Sequence, residues 1–403
     1  MNKFPLVPLG EICHIQIGGT PSRKEGQFWD VTKATLNRWA SIADLKEKYL
    51  HETAEYISES GVQHSNVKPI PANTVLYSFK LSIGRRAITK IPVYTNEAIA
   101  ALIPKKELDT EYLYYALEVA NYEDFLDIAV KGKTLNKEKM QSLLVPLPPL
   151  PVQRRIAEIL GSVDELIRNV ESILTLLVSL EFAILNQFVT HLLRTSKIMD
   201  LGSVSEVRSG ITKGRTLPNN IPLIDAPYLR VANVQDGFLD LNEIKTIPIF
   251  PQEISEYKLE PGDLVLTEGG DLDKLGRGAL WDGQIPECVF QNHIFRVRVH
   301  DRQQLYPEFL TLLVRSRYGK TYFLNCAKRT TNLASINSTQ LKQFPVLLPT
   351  TATQRNVIES INGLREVYNN QKRYLVGVKL LKGSLLSTLL TNPANLDSVV
   401  SAS

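Results

Sequence analysis

Cysteine is scarce in this 403-residue chain. Cys13, Cys288 and Cys326 lie far apart in sequence, which argues against a disulfide framework and against a Cys-x-x-Cys metal site. The six histidines form no His-x-x-x-His pair, so no metal is expected. Excess charge of one sign is also missing. Forty-six basic side chains face 42 acidic ones, a net charge of +4. That excludes a wholly basic, histone-like surface but leaves room for local basic patches that hold nucleic acid. The N-terminus, Met1-Asn2-Lys3-Phe4-Pro5, lacks the apolar run of a signal peptide, and a cytoplasmic location is expected. Residues 173–189 are mostly apolar, but Glu181, Asn186 and Gln187 interrupt them, so no membrane span is expected.

Catalytic signatures are missing as well. Gly132-Lys133-Thr134 and Gly319-Lys320-Thr321 resemble the tail of a P-loop, but Asp127 and Val314 stand where its first glycine belongs. Neither Gly-x-Gly-x-x-Gly nor Gly-x-Ser-x-Gly occurs, nor the Asn/Asp-Pro-Pro-Tyr/Phe run of an amino-methyltransferase. Asp263, Glu268, Asp271 and Asp273 read as a solvated acidic loop in preference to a divalent-metal site. His293 reads as a strand-end structural or base-reading residue in preference to a catalytic one.

What is present is an internal repeat. Residues 135–155, LNKEKMQSLLVPLPPLPVQRR, recur as 336–356, INSTQLKQFPVLLPTTATQRN, an offset of 201 without a gap. Asn136 matches Asn337, and Gln153-Arg154 matches Gln354-Arg355. Upstream, Leu9-Gly10 matches Leu201-Gly202, Gly18 and Thr20 match Gly210 and Thr212, and Arg23 matches Arg215. Val75-Leu76 matches Val265-Leu266, Gly84-Arg85 matches Gly276-Arg277, and Asn96 matches Asn292. The period is far too long for a solenoid, so the chain is a duplicated pair of domains.

Each copy is a mixed segment followed by a long helix. Ile156, Ile159, Val163, Leu166, Val170, Ile173, Leu177, Leu180 and Ile184 alternate spacings of three and four, a heptad a/d stripe. Val357, Leu364, Val367, Tyr374, Val378, Leu381 and Leu385 keep that register, with Gln371 at the place of Val170. A helix over 152–193 would be roughly 60 Å long at about 1.5 Å per residue. The two seams are expected to pack on each other, antiparallel if the copies are related by a two-fold axis. Packing of each helix on its own domain is the alternative. The interface rows are Ile156, Val163, Val170, Leu177 and Ile184 with Val357, Leu364, Gln371, Val378 and Leu385. Gly161, Gly363, Gly377 and Gly383 weaken these helices and would suit close helix approach.

In the mixed segments, strands are expected near 74–77, 98–103, 264–267 and 294–299, and helices near 110–119 and 307–314. Turns rich in glycine, hydroxyls and basic groups recur at equivalent places, a composition suited to phosphate. They are Gly18-Gly19-Thr20-Pro21-Ser22-Arg23-Lys24 with Ser209-Gly210-Ile211-Thr212-Lys213-Gly214-Arg215, and the turns at 82–86 and 275–278. Lys131-Gly132-Lys133-Thr134 is matched loosely by 328–332.

This order of motifs resembles the specificity subunit of type I restriction–modification systems, over nearly the whole chain. Its markers are Trp39-Ala40-Ser41-Ile42-Ala43-Asp44-Leu45, Tyr228-Leu229-Arg230-Val231-Ala232-Asn233-Val234, Gln291-Asn292-His293-Ile294-Phe295-Arg296-Val297 and the two junctions ending in Gln-Arg. At the second junction Thr350-Thr351-Ala352 replaces a proline cluster, which would leave it less rigid.

The resemblance implies an α+β fold, with two mixed α/β target recognition domains joined by two long helices in an antiparallel coiled coil, a pseudo-two-fold internal repeat. The expected segments are 1–150, the helix 151–196, the second domain 197–349, the helix 350–392 and a flexible tail 393–403. It also implies a non-catalytic reader of double-stranded DNA. Its helices would act as a ruler between two unlike half-sites and dock two modification subunits. Restriction subunits complete the assembly, and S-adenosylmethionine, ATP and Mg²⁺ sit on those partners. Candidate DNA contacts are Arg23, Lys24, Arg85, Arg86, Lys131 and Lys133, then Lys213, Arg215, Arg230, Asn233, Arg277 and Arg329.

Overall fold

The computed structural model describes residues 4–80, 82–120, 127–129, 132–134, 136–216, 222–270, 275–329 and 334–391. The expected tail at 393–403 lies outside them. Two compact units emerge, Met1–Glu171 with Arg373–Ser403, and Ser172–Lys372. Each combines one mixed domain with part of both long helices, so the division along the chain and the division in space differ.

The first unit is built on a five-stranded sheet in the order Cys13–Ile17, Ile99–Pro104, Thr74–Ser78, Arg86–Thr89, Tyr49–Leu50. Its central strand Thr74–Ser78 is buried at every position, as a β-branched and aromatic run sandwiched on both faces should be. The second unit repeats the order with Ser205–Ser209, Ile294–Val299, Asp263–Thr267 and Gly278–Trp281. Each unit adds a three-stranded sheet. Arg38–Ala40 lies between Glu55–Tyr56 and Tyr94–Thr95, and Ile224–Leu229 lies between Lys245–Ile249 and Val289–Phe290. In both, the middle strand pairs antiparallel on one side and parallel on the other. The helices Thr110–Val119 and Pro307–Arg315 cover the cores.

The junctions show why the repeat is strongest there. Gln153 and Gln354 are fully buried in the first turn of their helices. The N–H of Asp109 donates to Gln153 Oε1 at 2.8 Å, and Gln153 Nε2 donates to the carbonyls of Glu107 (2.9 Å) and Pro148 (2.8 Å). In the second unit the N–H of Tyr306 donates to Gln354 Oε1 at 2.9 Å, while Nε2 reaches Gln304 O (2.9 Å) and Pro349 O (3.1 Å). Asp109 and Tyr306 are the N-cap residues of the core helices. One glutamine thus ties the junction and long helix to the loop that starts the core helix in each unit. Asn136 and Asn337 likewise cap short helices, accepting from Lys139 N and Gln340 N. At the second junction Thr350 Oγ1 accepts from Thr353 N, so a threonine cap starts the helix where the first copy has proline.

The long helices run over Leu150–Thr195 and Thr351–Thr391. Within the first unit Lys379 pairs with Glu171 at 2.7 Å and Lys382 with Asp164 at 2.8 Å. Within the second, Arg365 pairs with Glu181 at 2.8 Å. In the first unit Asp164 and Glu171 meet Lys382 and Lys379, and in the second Glu181 meets Arg365 while Leu185, Val189 and Leu192 share a core with Val357 and Ile361, so the pairing is antiparallel in each unit. The alternative of packing on a domain also holds at the ends. Ile156 and Leu160 share the first core with Leu386, Leu389 and Leu390, and Leu185, Val189 and Leu192 share the second with Val357 and Ile361.

The a/d seam needs correction. On the a row Ile156, Val170, Val357 and Val378 are buried and Val163, Leu177, Ile184, Leu364, Gln371 and Leu385 half-buried. The second covered row is e, which includes Leu160, Ile167, Leu174, Ile361, Tyr368, Leu375 and Leu389. The d row is open to solvent: Leu166, Ile173, Leu180, Val367, Tyr374 and Leu381 are 37% to 52% exposed. The first helix is also long and apolar enough to cross a membrane, by length and composition. Its polar residues Glu171 and Glu181 are held by cations of the second helix.

The helix glycines do not serve close approach. A Cβ on Gly363, Gly377 or Gly383 would meet nothing within 4 Å, and one on Gly161 would make only ordinary contacts. Replacing any of the first three by alanine is expected to stabilise the isolated chain by about 1 kcal/mol. Urea denaturation followed by helical circular dichroism checks this, and a lower midpoint would show that something packs there.

Candidate nucleic-acid interface

Strand register brings the recurrent turns to one end of the central sheet in each unit. In the first, Ile17 lies opposite Ala100, Ser78 opposite Ile99 and Tyr77 opposite Arg86. The turns after Ile17, after Ser78 and before Ile99 therefore emerge together, carrying Arg23, Lys24, Arg85 and Arg86. In the second, Ser209 lies opposite Phe295, Thr267 opposite Ile294 and Leu266 opposite Gly278. Lys213, Arg215 and Arg277 share that end. The strand Lys328–Arg329 extends it through Ala334–Ser335 and Gly269–Gly270. Lys131 lies outside the described residues, and Lys133 and Arg329 are placed by backbone alone.

The side chains divide into free and engaged cations. Lys24, Arg85 and Lys213 are exposed. Arg23 stacks on Trp29, 3.7 Å from the ring centroid, and makes a two-pronged pair with Glu55. That hydrogen-bonded pair pushes the Arg23 guanidinium above its already high ordinary pKa. Its counterpart Arg215 repeats the design, gripping Glu253 with both amino groups at 2.6 and 2.5 Å beside Phe250. The hydrogen bonds from Arg215 hold the Glu253 carboxyl below the usual range. Such arginines brace the turn and are spoken for before any phosphate arrives.

Arg86 is engaged too, with Glu118 at 2.5 Å and the carbonyl of Tyr114 at 2.8 Å. Arg230 holds Glu243, and Arg277 reaches Gln235 at 3.1 Å. Asn233 is removed from the interface altogether. It is 3% exposed, accepts the N–H of Arg230 at 2.9 Å and donates to the carbonyls of Asp240 and Glu243. Asp44 does the same work in the first unit, accepting from Ser41 N at 2.8 Å. The two sequence markers therefore share a turn cap.

The glycines of the first turn also have an internal cause. A Cβ on Gly18 would lie 2.2 Å from Thr95 O, and one on Gly210 would lie 2.1 Å from Phe290 O. The neighbouring amides are occupied, since Gly19 N donates to Thr95 O and Ile211 N to Phe290 O, both at 2.8 Å. Close backbone crossing, not an anion cradle, requires glycine here. The acidic residues are likewise structural. Asp263 is buried against Arg298 at 2.7 Å, and Glu268 lies 2.7 Å from exposed His293. Asp271 and Asp273 lie outside the described residues. Lys320, from the P-loop-like run, lies in the helix Arg317–Cys326 and pairs with Asp236 at 2.5 Å.

Sequence reasoning overlooked the loop at 30–37. Asp30 accepts from Thr32 N and Thr35 N, and these bonds, Thr35 first, hold its carboxyl down to about 2. The braced loop presents Val31 and Leu36, 91% and 79% exposed. The Asx turn was readable in Asp30-Val31-Thr32, but the exposure was not.

The same register corrects the alignment of the copies. Asn96 N donates to Ala40 O as Gln291 N donates to Leu229 O. Tyr94 and Thr95 pair with Trp39 and Ala40 as Val289 and Phe290 pair with Tyr228 and Leu229. Asn96 is thus the equivalent of Gln291, and Glu97 that of Asn292.

A family described as "Type I restriction modification DNA specificity domain" matches residues 1–177 and again 194–370. The chain belongs to this family. Among specificity-subunit relatives, that of the Escherichia coli type I restriction enzyme EcoR124I/EcoR124II is 31% identical over 170 residues, covering 40% of this chain and 41% of the relative. The EcoKI specificity subunit of Escherichia coli K12 is 24% identical over 369 residues, covering 82% and 78%. Thus the match spans under half the length of the first relative and about three quarters of the second. Two solved structures share the fold. The type I restriction–modification S subunit from M. genitalium has a TM-score of 0.51 at 13% identity, covering 96% of both chains. A chain from a structure addressing assembly and conformational transition of a type I R-M system has a TM-score of 0.63 at 14% identity, covering 97% and 98%. In this specificity-domain protein each family match takes in one mixed domain and the first part of the long helix that follows it.

The free cations give a measurable expectation. Lys24→Gln, Arg85→Gln or Lys213→Gln should each weaken DNA binding by the assembled complex and lower the salt dependence by about one phosphate contact. Arg86→Gln should leave that slope unchanged. Titration at several salt concentrations separates them, and equal slopes throughout would dismiss the sorting.

Proposed function

We propose that this chain is the DNA-recognition subunit of a type I restriction–modification complex. Each unit reads one half of an asymmetric bipartite site, with the end of its central sheet against the duplex. Lys24, Arg85, Lys131, Lys133, Lys213 and Arg329 contact DNA directly, while Arg23, Arg86, Arg215, Arg230 and Arg277 shape the turns. The observation that carries this reading is the duplication. One family fold occurs twice, and both copies collect basic turns at the same sheet end. Because the turn residues differ, the two half-sites should differ.

The long helices set the gap between half-sites and dock two modification subunits on their exposed d row. Methyl transfer, translocation and cleavage belong to the modification and restriction subunits, which bring S-adenosylmethionine, ATP and Mg²⁺. The chain itself performs no chemistry and works in the cytoplasm. The apolar helix faces protein partners, not lipid.

The test is long-read methylation mapping of DNA from cells co-expressing this chain with its modification subunit, against cells lacking the chain. A new N6-methyladenine motif with two unlike halves and a fixed gap is expected. No new motif, despite a stable complex, would overturn the reading.

A further inference from the structure

The corrected alignment places Glu97 and Asn292 at the same point of the two units. Each follows the residue whose N–H closes the parallel pair, Asn96 or Gln291, and each lies in the turn entering the strand Ile99–Pro104 or Ile294–Val299. This turn sits between the other two turns of the candidate interface. Thr20 and Thr212 occupy equivalent places beside it, since Gly19 and Ile211 make the same bond to Thr95 O and Phe290 O.

The Glu97 carboxylate is poorly suited to phosphate. Glu97 is exposed, and its Oε2 accepts from the Thr20 hydroxyl. Its Oε1 has no hydrogen bond among the described residues, and its charge acts on Arg23. A carboxylate facing a duplex is repelled by phosphate and is tolerated where a base offers it a donor. In the major groove a carboxylate finds that donor in the cytosine amino group. Asn292 is half-buried, and its side-chain amide has no hydrogen bond among the described residues, although its carbonyl accepts from Ser209 Oγ at 2.7 Å. A free amide has the donor and acceptor that match adenine N7 and N6.

We propose that position 97/292 is a base-reading position in both units: Glu97 selects a cytosine in one half-site and Asn292 selects an adenine in the other. This rests on the DNA-recognition reading above. It gives a physical reason for unlike half-sites, because one fold presents an acceptor in one copy and a donor–acceptor pair in the other.

The test uses the complex with its modification subunits and DNA duplexes carrying the mapped target or each single base-pair change. Glu97→Gln keeps the shape and the Thr20 contact but offers an adenine-type pattern. Asn292→Asp offers a cytosine-type one. Glu97→Gln is expected to lose roughly 10- to 100-fold discrimination at one C·G pair in one half-site and to shift preference there toward A·T. Asn292→Asp should do the converse in the other half-site. Discrimination at all other pairs should persist. Glu97→Ala and Asn292→Ser, which only delete the groups, should flatten the same two pairs without a new preference. Uniform tightening or weakening across all duplexes would overturn the inference, as would unchanged discrimination or both effects falling in one half-site. A wild-type complex without sequence preference would overturn the underlying reading as well. A selective wild-type complex with equally selective variants overturns this inference alone.

Discussion

Gln354→Ala is expected to destabilise the second unit by about 3 kcal/mol, and Gln153→Ala to do the same in the first. Each glutamine is fully buried and makes three hydrogen bonds to backbone groups, two in the loop before the core helix and one in the junction. Removing it strands the N–H of an N-cap residue and two carbonyls in a place water does not reach, and each stranded group costs about 1–3 kcal/mol. The carbonyls retain a second lone pair, so the lower part of that range applies to them. Gln354→Met fills the space without the polar atoms and should fare no better. Arg355→Ala, one residue on, loses only an exposed hydrogen bond to Tyr306 Oη at 3.1 Å and should leave the unit's stability nearly unchanged. Because the chain holds two units, hydrogen exchange of the helix Pro307–Arg315 against that of Thr110–Val119 is the appropriate readout. Each variant should raise exchange in its own unit. Matching losses for Gln354→Ala and Arg355→Ala would show the clamp to be ornamental.

These clamps also explain which part of the fold was readable. The residues that repeat along the chain have a backbone task no other residue performs as well. Gln153 and Gln354 hold N-caps, Asn136 and Asn337 are N-caps, and Gly18 and Gly210 allow one backbone to cross another. Their identity survives drift of the surrounding sequence, so the duplication and the order of elements could be read directly. The interface was less legible because the fate of a cation is decided by tertiary partners. Arg86 meets Glu118 and Arg215 meets Glu253, both more than 30 residues away in sequence. Asn233 looked like a polar group offered to a ligand until its three backbone bonds placed it inside a turn. The turn before the strands Ile99–Pro104 and Ile294–Val299 was misaligned by one residue, because Asn96 and Asn292 are alike in name but not in hydrogen bonding. Heptad spacing carried a similar trap. It identifies which rows are apolar, but not which of them the chain itself covers.

That open row supports the prediction with the largest effect. Ile173→Asp combined with Leu180→Asp should abolish stable association with the modification subunit, lowering affinity by at least about 100-fold. Both side chains stand on the d row of the first helix within the second unit, 41% and 45% exposed, while Leu177 between them is half-buried and Leu185 just beyond is buried. The pair therefore contributes little to the unit's own core, and helicity should survive the change. Alongside lies a cleft of about 660 Å³ lined in part by Leu177, Phe182, Asp236, Phe238 and Tyr368, with Phe238 62% exposed. An apolar row flanking a cleft with a charged rim suits a partner that buries its own apolar ridge there, and such anchors dominate interface energy. Two buried carboxylates in place of two anchors lose the apolar contact and add uncompensated desolvation. Thr175→Asp, at an exposed position between them on the same helix, also adds a carboxylate and should leave assembly intact. Co-purification with the modification subunit and sedimentation of the mixture distinguish the cases. Assembly of the double variant at wild-type affinity would mean that the modification subunit docks elsewhere, and that the exposed row has another partner.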